Sequence, residues 1–131
     1  MMPGSPTAAI IKHVDGACIL VASELTCYRQ ALAGAFRELR PNSEVFEAES
    51  EFLDQAVERL GPDLVVCDAV SIRVQTETPC WVELYADHED RSLVSVRGER
   101  SIIEQIQLAD LLSLIDRSEG EASYPVQNRA L

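Results

Sequence analysis

At 131 residues the chain has the length of one domain, enough for a core of ordinary size and too short for a second one. Its 22 Asp and Glu against 11 Lys and Arg leave a net charge of -11, which repels phosphate backbones and anionic lipid and makes nucleic acid and membranes poor partners. No apolar run reaches the roughly 18 residues of a membrane span, and the opening MMPGSPTAAI lacks the charged and apolar regions of a signal peptide, so the expected location is cytoplasmic.

Residues 1–16 read as a flexible arm or an extra strand. The first nine are rich in Pro, Gly, Ser and Ala, and Asp15-Gly16 has the form of a two-residue hairpin turn. A strand buried inside a parallel sheet has no free edge for such a hairpin partner, which favours a loop or dimer-facing arm for residues 8–14. The domain proper is expected over 17–117, with a disordered tail from 118 to 131, where SEGEASYPVQNRAL is polar and broken by proline.

Cys18 to Ala22 is a continuous apolar run followed by Glu24, as expected of a strand buried on both faces. From Leu25 the period changes, and Leu25, Tyr28, Leu32, Ala35, Phe36 and Leu39 fall on one helical face, with Arg29 and Arg37 off it. Pro41-Asn42 stops that helix. Glu44 to Ala48 alternates as a strand; Ser50 is placed to cap a second helix, and Gly61 to close it. The stretch PDLVVCDAV, residues 62–70, then brings a third apolar run that ends on the carboxylate of Asp68. Strands alternating with helices predict a parallel sheet with right-handed crossovers.

Beyond Asp68 the pattern departs from this alternation. Ser71 to Pro79 is polar and β-branched and predicts a loop. Cys80 to Ala86 and Ser92 to Val96 read as strands whose five-residue connection is too short for a parallel crossover, so they form an antiparallel hairpin. Arg97 to Arg100 is a turn, Ile102 to Ile106 either a further strand or the start of a helix, and Leu108, Leu111, Leu112 and Ile115 mark a short final helix. Four cysteines, Cys18, Cys27, Cys67 and Cys80, show no CxxC and no histidine at ligand spacing, and three lie in or beside apolar stretches, the pattern of buried reduced thiols.

The stretches ILVASELTCYRQAL (19–32), with its Tyr28-Arg29 pair, and PDLVVCD (62–68) resemble the receiver domain of bacterial two-component response regulators. They are most similar to the subfamily carrying a helix-turn-helix output domain, and the likeness spans about residues 17 to 70. It implies a flavodoxin-like α/β fold, here with an antiparallel hairpin in the second half, and puts Asp68 at the phosphoacceptor position. Receivers also need an acid pair for a divalent metal, a lysine after the fifth strand, and a Ser or Thr after the fourth. The acid pair corresponds to Ser23-Glu24, leaving Glu24 and Asp68 for a weakly held Mg. The hydroxyl position falls near Tyr85-Ala86, and the one Lys of the chain is Lys12, so Arg97 is the candidate substitute charge.

These departures point to a pseudo-receiver, not an enzyme and without a resident cofactor, that acts through contact with a protein partner. The alternatives are an atypical receiver phosphorylated on Asp68 and, from a different class, a small hydrolase using Asp68 and Glu24. Trp81 and Tyr85 share strand parity and are the candidate interaction residues, with homodimerisation through the hairpin or the last helix as the expected assembly. His88, within Asp87-His88-Glu89-Asp90, belongs to a solvated hairpin tip.

Overall fold

The computed structural model describes residues 16–85 and 90–130, with side chains as far as Glu119. In chain order the elements are β1 (Cys18–Ala22), α1 (Thr26–Leu39), β2 (Glu44–Ala48), a 3-10 turn (Ser50–Phe52) that leads into α2 (Leu53–Leu60), and β3 (Leu64–Cys67). They are followed by α3 (Ile72–Glu77), β4 (Cys80–Glu83), β5 (Arg91–Val96), β6 (Glu99–Glu104) and α4 (Leu108–Ala130). The arm or strand proposed for residues 8–14, Lys12, and the hairpin tip around His88 lie outside the described residues.

Among the described residues six strands form one sheet, in the order β2-β1-β3-β4-β5-β6. β1 runs parallel to β2 and β3, and β3 parallel to β4. β5 turns back antiparallel to β4, and β6 antiparallel to β5. The architecture is thus α/β with a mixed sheet, parallel in its first part and antiparallel where the short connection required it. Ile102 to Ile106, open to two interpretations in the sequence, begins in a strand.

Every residue of β1 and β3 is buried, because helices cover both faces of the sheet. On one face Ile19, Val21, Leu64, Val66 and Val82 meet Leu32, Ala33 and Phe36 of α1 and Leu111, Leu114 and Ile115 of α4. On the other, Leu20, Val65, Cys67 and Trp81 meet Leu53, Ala56 and Val57 of α2 and Val74 of α3. The period-2 alternation of strand side chains divides one continuous apolar run between two cores.

Four local expectations are corrected. The buried stripe of α1 is Arg29, Leu32, Ala33 and Phe36, while Leu25 and Leu39 are exposed. Arg29, off the apolar face by its spacing, is buried, and its guanidinium reaches back to the chain entering the helix. Ser50 opens a 3-10 turn and makes no side-chain cap, whereas Gly61 does close α2 in the left-handed region, at φ 56°. The segment after Asp68 contains a six-residue helix, α3. Ser71 Oγ accepts the Val74 N–H at 3.1 Å, and the hydroxyls of Thr76 and Thr78 donate to the carbonyls of Ile72 and Val74. Hydroxyl bonds to the backbone and the buried Val74 hold a turn that lacks an apolar period. Finally, β4 ends at Glu83, short of the Ala86 expected, because Tyr85 takes a φ of 52° and breaks the extended chain.

Candidate functional site

The carboxyl ends of the central strands make the mouth of the sheet. Register sets Ala22 beside Cys67 and Cys67 beside Glu83, so the residues following β1 and β3 and the last residue of β4 converge there. They are Ser23-Glu24, Asp68 and Glu83. Open α/β sheets place their ligands at this edge.

Each loop at the mouth is fastened by a side chain from a neighbouring strand. Asp68 Oδ2 accepts the backbone N–H of Glu24 at 3.1 Å, which ties the exit of β3 to the exit of β1. Glu83 Oε2 accepts the N–H of Val70 at 2.8 Å, and the N–H of Leu84 donates to the Cys67 carbonyl at 2.9 Å, which ties β4 to β3. Ser23, 3 % exposed, accepts the Leu25 N–H through its hydroxyl, while its carbonyl accepts the Arg29 guanidinium at 2.8 Å. Arg29 also meets Glu47 of β2 at 3.4 Å.

Two phenols flank this edge. Tyr28, in the first turn of α1, neighbours Tyr85 beyond β4. Burial, then the neighbouring Tyr85 and Asp68, push the Tyr28 phenol above its ordinary value, so it is neutral at physiological pH. Beneath them the Cys67 thiol is pushed up to about 12, chiefly by burial and then by the negative field of Glu83 and Asp68. A thiol held so firmly protonated is no nucleophile.

Glu24 and Asp68 do come together, through a bond from the Glu24 backbone amide to the Asp68 carboxylate. The divalent ion implied by the resemblance needs several oxygen ligands. Among the described residues no group of three or more His, Cys, Asp and Glu is placed to hold a metal, and one oxygen each of Asp68 and Glu83 is already committed to an amide. This donor set does not fit the implied ion.

Arg97 does not stand in for the receiver lysine. Because β5 runs antiparallel, its end lies at the start of β4, and the Arg97 N–H donates to the Pro79 carbonyl at 2.7 Å. The Arg97 guanidinium donates to the Ser118 carbonyl in α4, at the opposite end of the sheet from Asp68. Trp81 lies within the core of the monomer, 1 % exposed, with the Arg100 guanidinium 5.3 Å from its ring. Tyr85 is the surface member of that pair, at 42 % exposed.

Glu83 escaped the sequence reading, although an acid closing a third apolar run, CWVE, repeats the pattern that singled out Asp68. An apolar groove of about 240 Å³ also lies between α1 and α4, lined by Tyr28, Ala31, Ala35, Ile106, Leu108 and Leu111 among others. No described helix is long and apolar enough to cross a membrane. No protein-family model, curated protein or solved structure matches the chain.

Proposed function

We propose that this chain is a pseudo-receiver: a receiver-like, flavodoxin-like domain that works as a signalling or regulatory contact module and performs no phosphotransfer. The parallel strands in the order β2-β1-β3-β4 agree with the flavodoxin-like order. The observation that carries the proposal is the use of the acids at the mouth. Asp68 and Glu83 serve as acceptors for backbone amides, and Glu83 closes β4 just before the Tyr85-Ala86 stretch at which receiver chemistry calls for a neutral hydroxyl. A phosphoryl group on Asp68 would bring about two negative charges beside a second carboxylate, with the only lysine of the chain at position 12, before β1. Electrostatic stabilisation of the transferred group is the largest part of such catalysis, and here the local charge has the opposite sign.

The test is incubation of the full chain with acetyl phosphate and Mg, followed by intact-mass measurement. The expected spectrum shows no added phosphoryl group. A gain of one phosphoryl that disappears in Asp68→Ala would overturn the proposal and leave an atypical receiver in its place.

A further inference from the structure

β6 is the outermost strand, with β5 on one side and, among the described residues, no strand on the other. All but one of its six residues are exposed, and Ile102 is 57 % exposed. An exposed edge presents a row of backbone donors and acceptors to any chain that matches them.

Which groups face outward follows from the ladder. The turn Arg97-Gly98, with φ of 50° and 91°, sets Val96 opposite Glu99, and antiparallel pairs alternate between bonded and non-bonded residues. The N–H of Gln105 donates to the Asp90 carbonyl at 2.7 Å, which fixes the phase. Odd-numbered residues of β6 therefore turn their amides toward β5, and Arg100, Ile102 and Glu104 turn theirs to the open edge. Through the rows Trp81 to Ser95 to Arg100, the side chains of these three share the sheet face that carries Trp81. There Arg100 is steadied by the Trp81 ring and by a bond to Gln75 Oε1 at 3.1 Å.

We infer that this edge pairs with the same edge of a second copy, antiparallel and centred on Ile102. Outward amides pair only with outward amides, so the permitted shifts oppose even residues to even residues. A shift that opposes Arg100 to Arg100, or Glu104 to Glu104, brings like charges together, and a shift that opposes Ile102 to either one sets charge against apolar surface. Centring on Ile102 alone opposes Arg100 to Glu104 twice, joins the two Ile102 side chains, and uses all three outward residues. The product is one continuous sheet across both copies. This pairing refines the contact-module proposal, yet it does not depend on the chemistry at Asp68.

Sedimentation velocity on the full chain over a wide concentration range tests it. The parent forms a concentration-dependent dimer. Glu104→Arg opposes arginine to arginine and weakens the dimer about tenfold or more, while Arg100→Glu added to Glu104→Arg restores it. Ile102→Pro deletes the central outward N–H, leaves the β5–β6 ladder bonded, and abolishes the dimer; unchanged circular dichroism confirms that each variant is folded. A chain that stays monomeric, a dimer indifferent to Glu104→Arg, or a double variant no better than the single one would overturn the pairing. Phosphoryl labelling of Asp68 would unseat the proposed function while leaving this edge as it is, and a monomeric chain would do the reverse.

Discussion

Arg29 is the residue whose replacement most directly probes how the mouth is assembled. Arg29→Met keeps the apolar stem inside the α1 stripe and removes the guanidinium that donates to the Ser23 carbonyl at 2.8 Å and meets Glu47 at 3.4 Å. Leaving a buried carbonyl without its charged donor costs about 1–3 kcal/mol. The Glu47 contact adds less than about 1 kcal/mol, since Glu47 is also paired with Arg37 at 3.2 Å. Relief of guanidinium desolvation offsets part of the loss, so the net expectation is about 2 kcal/mol, a large fraction of a marginal domain's stability. Urea unfolding of the parent, Arg29→Met, Glu47→Gln and the double variant measures it. Most of the loss falls on the Ser23 carbonyl, so the coupling between Arg29 and Glu47 stays below about 1 kcal/mol. An Arg29→Met loss near zero, or a coupling as large as the whole loss, would refute it.

Four further outcomes concern the thiols and the glycines. The folded protein keeps the Cys67 proton up to about 12 while the unfolded chain releases it near 9.0. Its contribution is therefore whole below pH 9 and is lost as pH rises toward the folded value, at about 1.4 kcal/mol per pH unit. Thermal melts between pH 8 and pH 10.5 should show a steeper decline in the parent than in Cys67→Ala, and equal slopes would contradict it. In native protein Cys27, the exposed thiol, should react with a maleimide far faster than Cys18, Cys67 and Cys80, all buried. A Cβ on Gly16 would run into the Asn42 carbonyl, so Gly16→Ala should destabilise by about 1–3 kcal/mol. Gly61 has open space around it but a φ of 56°, so Gly61→Ala should cost about 1 kcal/mol through torsion alone. Chemical denaturation of both variants checks the order.

The central strands were legible in the sequence because burial on both faces leaves no polar residue in CILVA or LVVC, and the hairpin was legible because five residues cannot cross a sheet. What was not legible involves groups brought together from far along the chain. Glu24 and Asp68 are 44 residues apart, and their contact runs from amide to carboxylate, which no residue pattern records. Spacing put Arg29 off the apolar face of α1, and only the position of the Ser23 carbonyl shows why it is buried. Tyr85 continued the apolar pattern of β4, yet its backbone turns away, so the acid that closes the strand was passed over for a tyrosine. The antiparallel direction of β5 was foreseen, but its effect on Arg97, which goes to the far end of the sheet, was not carried through.

Tyr85, Arg97 and Gln105, with φ of 52°, 50° and 54°, stand just beyond β4, β5 and β6. The antiparallel part of the sheet thus changes direction at side-chain-bearing residues in a backbone conformation that glycine fills more comfortably. The strain is confined to the corners and leaves the rungs between them relaxed. Glycine, harmful at most sites in a strand or helix, would be nearly neutral at Gln105, since the relieved Cβ crowding balances the added freedom of the unfolded chain, whereas at Tyr85 and Arg97 that relief is set against side-chain contacts with Tyr28 and the Ser118 carbonyl. The meander can therefore absorb sequence change at its Gln105 bend without disturbing its ladder.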